Sequence, residues 1–321
     1  MTAPGGGPAA TLRRAGRWAK RALVDPPLPL VAVEVRPRAL AAVRLAREGG
    51  RLALGAAAAV DLPEGVLEVS LTKPNLASPD AFRAALRSVL ERVGALAGGP
   101  VSLVLPDPAV RATLVPASGL RGRRSEMEEL VRFRLHKALP SDFDARSARL
   151  AWRPAGDQVL VAVARDEMVR EYEEALAALG HHAGLVEPAS LALASLEAWG
   201  EGGGDRLLVN WDLGYVSFLL WRDAQPLLLR TLPREDSPDS VRRQAAQTLR
   251  FHREQLGGRA LEEVVVRSAA LPWDEAALVL AESLGTSPRP LRPWAALGVA
   301  EDGEAAQAVA GAAACALRRA A

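Results

Sequence analysis

Cysteine, aromatic side chains and long apolar runs are what this sequence has least of. A single cysteine, Cys315, excludes an internal disulfide and fits a reducing compartment. Its alanine-rich surroundings read as those of a small buried residue rather than a reactive thiol. Aromatic residues make up only 4%, and the seven tryptophans are scattered, so they form no stacking platform for nucleobases. Excess charge of one sign is also missing. The formal net charge is +2 over 321 residues, which gives nucleic-acid binding no support. No stretch reaches the roughly 18 to 20 continuous apolar residues of a membrane span. The N-terminus has no apolar run of the signal-peptide kind, so a cytoplasmic protein is expected. Adjacent His181 and His182 point apart, and no cysteine or carboxylate cluster stands at ligand spacing, so no metal site is expected. Nothing resembles a nucleophile elbow.

What the chain has in quantity is aliphatic. Hydrophobic residues are 49% and charged residues 24%, a balance suited to packed cores. The length allows two domains, or one domain interrupted by an insertion. Residues 1–28 stand apart as a basic flexible arm. After Gly5-Gly6-Gly7-Pro8, the cations Arg13, Arg14, Arg17, Lys20 and Arg21 surround Leu12, Trp18 and Leu23. Residues 12–23 read either as a basic amphipathic helix in weak contact with an anionic membrane surface, or as a solvated arm.

From Leu30 the pattern becomes that of strands. Val31, Val33 and Val35 alternate with Ala32 and Glu34, the period-two signature. Leu40–Leu45 follows, then a turn at Arg47-Glu48-Gly49-Gly50 and a third strand over Arg51–Val60. Ser78 is expected to cap a helix with Pro79 at its first position, and with Phe82, Leu86, Leu90 and Val93 inward. The same layout recurs from Arg206: a strand over Leu207–Asn210, the tight turn Asp212-Leu213-Gly214, and a return strand over Val216–Trp221. A third strand runs from Pro226, and a helix from about Asp239 to Leu256 puts Val241, Ala245, Leu249 and His252 on one face. Two copies of one layout imply a duplicated α/β fold.

Between the copies, residues 101–184 differ in character and read as an inserted α+β subdomain. Val101–Leu105 and Val159–Val163 are strands. Ser125-Glu126-Met127-Glu128 reads as a capping box opening a helix with Met127, Leu130, Val131 and Leu135 at helical spacing. Asp166 starts a second helix, with Met168, Tyr172, Leu176 and Leu179 inward and Gly180 at its end. Residues 29–100 and 185–205 then form the first half, and 206–321 the second.

The order of these segments resembles the PilM family of type IV pilus assembly proteins, relatives of the division protein FtsA. Val104-Leu105-Pro106-Asp107, the Ser125–Lys137 helix with Ala138-Leu139-Pro140, and Val161-Ala162-Val163-Ala164-Arg165 carry the likeness. So do Val186-Glu187-Pro188 and the closing Val309-Ala310-Gly311-Ala312-Ala313. The resemblance implies a duplicated actin-like, RNase H-like fold with an inserted subdomain. It also implies binding of the cytoplasmic N-terminal peptide of a PilN-like inner-membrane protein beside the insert, with other pilus assembly components as further partners. That places the protein in the cytoplasm, peripheral to the inner membrane.

An actin-like ATPase needs turns whose backbone N–H groups approach the phosphates, glycines that permit the approach, and a carboxylate that holds the metal through water. The family's first turn carries an aspartate, a glycine and several serines. Here the stretch is Glu34-Val35-Arg36-Pro37-Arg38-Ala39. Glu34 reads as the carboxylate, Arg36 as bulk at the glycine position, and Pro37 removes an amide donor. Asp212 and Gly214 persist in the second turn, where they read equally as a plain tight hairpin. The third element, Arg267-Ser268-Ala269-Ala270, puts methyl groups where adenine stacking needs none. Arg36 and Arg38 could instead bind phosphate.

Glu34, Asp212 and Gly214 are thus the expected residual nucleotide cleft. No cofactor is expected, and ATP with magnesium only if that cleft works. Met127, Leu130, Val131 and Arg134 mark the helix expected to meet the partner peptide. The alternatives are an active actin-like ATPase or kinase, or the cytoplasmic component of a related type II secretion system.

Overall fold

The computed structural model describes residues 29–120, 123–197, 203–233, 237–299 and 303–318. The arm expected over residues 1–28 lies outside them. β1 (Val31–Arg36) pairs antiparallel with β2 (Ala39–Glu48), which pairs antiparallel with β3 (Arg51–Asp61). On its other side β1 pairs parallel with β4 (Gly99–Leu105), and β4 with β8 (His181–Pro188). The first sheet therefore reads β3-β2-β1-β4-β8. The second repeats it as β11-β10-β9-β12-β13, with β9 (Asp205–Asp212), β10 (Tyr215–Arg222), β11 (Gln225–Pro233), β12 (Leu261–Ser268) and β13 (Arg289–Pro290). The duplication is complete at the level of strand order.

A period-two strand usually has one wet face, but both faces of β1 are covered. Val33 and Val35 pack with Phe82, Leu86 and Leu90 of α1 (Pro79–Arg92). Ala32 faces a second core shared by both halves, built with Val265 of β12, Leu208 of β9 and Trp294. Between the sheets lie helices α4 (Ala189–Ala194) and α8 (Ala310–Leu317), rich in alanine. Small side chains let backbones pack closely, while the buried leucines and valines each contribute roughly 1.5–3 kcal/mol. Cys315 is one of these small residues: it is fully buried, and burial pushes its thiol up to about 12.

The insert is narrower than residues 101–184. β4 and β8 are strands of the first sheet, and α3 (Asp166–Ala177) packs into the same core as α1, with the Tyr172 and Phe82 ring centroids 5.7 Å apart. Outside the repeated layout stand β5 (Arg111–Pro116), α2 (Arg124–Leu135), β6 (Ala148–Ala155) and β7 (Gln158–Arg165). They form a three-stranded sheet β5-β7-β6 with its own core of Val115, Val131, Leu135, Phe143 and Val161.

Two expected caps differ in detail. Ser78 stands at the N-cap with Pro79 first in the helix, as expected, but its side chain makes no cap bond. The box of α2 is set by Arg123, whose N–H donates to Glu126 Oε2 at 3.2 Å, instead of by Ser125. Among the described residues no helix is long and apolar enough to cross a membrane.

α5 (Pro238–Gln255) and α6 (Trp273–Leu284) cover the outer face of the second sheet. At the foot of that sheet Asp205 is buried. It accepts from Arg222 Nε at 2.6 Å and Nη2 at 2.7 Å and from the Arg259 N–H at 2.9 Å, and lies 2.5 Å from His252 Nε2. Gly258 must be glycine, because any Cβ there would strike the His252 ring.

Burial alone would raise the Asp205 carboxyl, but Arg222, His252 and the Arg259 amide outweigh it and hold it at about 2. A carboxyl depressed in the folded state adds stability that is complete above its unfolded value and fades as pH falls toward the folded one. Denaturant titrations between about pH 5 and pH 2 should therefore show wild type losing about 2 kcal/mol more than Asp205→Asn. Equal losses would show that the carboxylate is not paired as described.

Candidate functional site

The two halves meet at the ends of their first strands. β1 ends at Arg36 before the two-residue turn Pro37-Arg38, and β9 ends at Asp212 before Leu213-Gly214. Arg36 and Asp212 are therefore equivalent positions of the repeat, and they bond to each other. Arg36 Nε donates to Asp212 Oδ2 and Nη2 to Oδ1, both at 2.9 Å. Arg36 also donates to the carbonyls of Ala269 at 3.0 Å and Ala308 at 3.3 Å.

Two residues earlier the repeat pairs Glu34 with Asn210, and Arg267 of β12 serves both. Its Nη2 donates to Glu34 Oε1 at 3.0 Å, and its Nη1 to Asn210 Oδ1 at 3.0 Å and Asp212 Oδ2 at 2.7 Å. Its Nε reaches the Gln307 carbonyl at 3.1 Å. Glu34 Oε2 accepts the Gly311 N–H at 3.0 Å, at the start of α8. A Cβ on Gly311 would collide with that carboxyl, so the position needs glycine.

Glu34, Asp212 and Arg267 are all 0% exposed, and Arg36 is 7%. Two guanidiniums face two carboxylates, so the cluster is neutral as a whole, which is what makes its burial tolerable. Burial would raise the Asp212 carboxyl, but Arg36, Arg267 and the Leu213 N–H at 2.8 Å hold it well below the usual carboxylate range. Burial also acts on Glu34, where it prevails over Arg267 and Arg36 and raises the carboxyl, with Asp212 adding a like charge. Every carboxylate oxygen of the pair already accepts at least one hydrogen bond.

Arg267 links Glu34 to Asp212, but Arg36 does not occupy a glycine position. The hairpin register puts it where the second half has its carboxylate. Nor is it turned toward solvent phosphate, while Arg38 lies out at the surface, 3.6 Å from Glu64. Sequence reasoning missed Arg267, although a signal existed: an arginine closing the buried run Val264–Val266 must be buried with it and needs partners.

Gly214 stands outside the cluster. It has φ +78° and lines a cleft of about 410 Å³ on the far side of the two turns. Pro37 and Leu213 line the same cleft, with Val69 of the loop after β3, Ala112 of β5 and Pro233 of β11. Its wall includes Asp107, a buried carboxylate that accepts from the Ser190 N–H at 2.9 Å, Asn210 Nδ2 at 3.0 Å and Ser217 Oγ at 2.6 Å, and from the Ser190 hydroxyl. Asn210 thus touches the charge cluster with its oxygen and the cleft wall with its nitrogen.

The helix expected to meet a partner packs on the insert's own sheet. Val131 is fully buried in the insert's own core, so it is closed to a partner. Met127 and Leu130 are half-buried, and Arg134 donates to the carbonyls of Pro116 and Ser118 within the insert. None of the four lines the cleft. Phe133, which the sequence reading passed over, is the large hydrophobic side chain that α2 exposes, at 77%.

Removing one cation from the cluster strands a buried carboxylate. Arg267→Met should therefore cost about 3–5 kcal/mol in equilibrium urea unfolding. A loss under about 1 kcal/mol would mean that water already solvates the site.

No family model matches the chain, and no curated protein matches it in sequence. In shape it is similar to a chain of the PilM-PilN type IV pilus biogenesis complex, with a TM-score of 0.72 and 22% identity over 90% of this chain and 98% of that one. A Bacteroides thetaiotaomicron protein of actin-like ATPase fold and unknown function scores 0.52, at 10% identity over 87% and 94% of the two chains. The cytoplasmic domain of EpsL, an inner-membrane component of the Vibrio cholerae type II secretion system, scores 0.46, at 12% identity over 75% and 82%. The chain has an actin-like fold, similar in shape to that found in the PilM-PilN complex.

Proposed function

We propose that this protein is a scaffold of a type IV pilus assembly platform. It works at the cytoplasmic face of the inner membrane, without nucleotide turnover, and binds the N-terminal peptide of a PilN-like membrane protein. The observation that carries the reading is the crossed cluster of Arg36, Asp212, Arg267 and Glu34, buried where the first strands of the two halves meet. A hydrated magnesium ion needs free carboxylate oxygens, and here guanidiniums and backbone amides take them. The residues present do not fit a magnesium–triphosphate group.

What remains open is the cleft of about 410 Å³ between the turns, the insert and β11. Its walls mix apolar side chains such as Val69 and Leu213 with the polar groups of Asp107, Arg111, Tyr215 and Thr231, a lining that suits a short extended peptide. The PilM-like fold supports the choice of a PilN-like partner. Other pilus components are further candidates, and the weak membrane contact proposed for residues 12–23 falls outside the described residues.

Two measurements check the reading. Thermal unfolding with excess Mg-ATP should leave the midpoint unchanged, whereas a ligand at a hundred times its dissociation constant would add about 2.7 kcal/mol. A clear shift abolished by Asp212→Ala would favour a working ATPase. In calorimetric titration the PilN-like peptide should bind, and Leu213→Glu, a half-exposed position lining the cleft, should weaken it about tenfold. Absence of binding to wild type would overturn the partner.

A further inference from the structure

We infer that the Arg36–Asp212 bridge is a positioning device for the cleft: it joins the equivalent turns of the two halves into one preset wall. The ligand named for that cleft rests on the function proposed above; the role of the bridge does not. Each turn contributes two residues and has little to hold it. Arg38 is exposed, Leu213 is 38% exposed, and a side chain at Gly214 would meet nothing within 4 Å. Such tips are ordinarily the most mobile parts of a hairpin. Here the residue just before each tip is buried, and the two are joined by a two-pronged ion pair.

The remaining contacts extend the hold. Asp212 Oδ1 also takes the Leu213 N–H at 2.8 Å, so the carboxylate grips its own turn as well as the opposite half. Arg36 reaches the carbonyls of Ala269 and Ala308, and Arg267 holds Asp212 from the other side. Buried ion pairs add little net stability compared with apolar packing, and their attested benefit is fixing one arrangement among several. A wall fixed in advance spares a ligand the entropy of ordering it.

The double variant Arg36→Met/Asp212→Asn separates positioning from stability. It removes one charge of each sign and leaves Arg267 with Glu34, although the amide that replaces the carboxylate has one oxygen for two donors, the Leu213 N–H and Arg267 Nη1. Its midpoint of unfolding should lie above that of Arg36→Met alone, which strands a buried carboxylate. Amide exchange over residues 36–39 and 212–215, followed by mass spectrometry, should quicken about tenfold, and affinity for the PilN-like peptide should fall by about the same factor.

Unchanged exchange in those two segments overturns the inference. So does exchange that rises evenly across the chain together with a lowered midpoint, which marks plain destabilisation. Should the double variant fail to fold, Arg36→Lys keeps the charge but loses the second prong, and the same local quickening is expected of it. A wild type that ignores the peptide defeats the proposed partner, while the exchange result still decides the role of the bridge.

Discussion

Four charges buried at the line where two sheets meet govern how this molecule is put together. Taking a charge out of water costs several kcal/mol unless a partner and hydrogen bonds compensate. Only Arg267 and Asp212 find each other within one half. Arg36 and Glu34, two residues apart on one strand, have their ionic partners in the other half. The halves must therefore close for those charges to be paired, and once closed they have little freedom to slide.

Apolar packing works in the same direction. One core runs through both halves, with α4 and α8 between the sheets and alanines where the backbones come closest. The carboxylate of Glu34 sits at the start of α8, held there by the Gly311 N–H, so the helix that fills the core is also tied to the charge cluster. Polar and apolar contacts thus define the same closed arrangement, and the cleft beyond the turns is shaped by both.

Much of the fold was legible in local patterns. Hairpins showed as alternating aliphatic runs broken by turn residues, and the repeat showed because both halves use the same succession of elements. The limits of the insert were not legible. β4 is a mostly buried parallel strand and β8 a half-buried edge strand of mixed polarity, and their mutual pairing joins segments far apart in the chain. Strand membership is decided by that pairing, which no local window contains. The role of the α2 stripe was hidden for a related reason: a helical stripe says which face is buried, and in α2 that face serves the insert's own core.

Residue types and spacing alone determined the strands of the two hairpins and the turns Pro37-Arg38 and Leu213-Gly214 between them. Tertiary structure alone decided what each charge is for. Arg36 meets Asp212 across 176 positions of chain, and Arg267 meets Glu34 across 233. A side chain's charge is written in its own letter, but the energy of burying it belongs to the pair, and the pair exists only when distant strands are brought together.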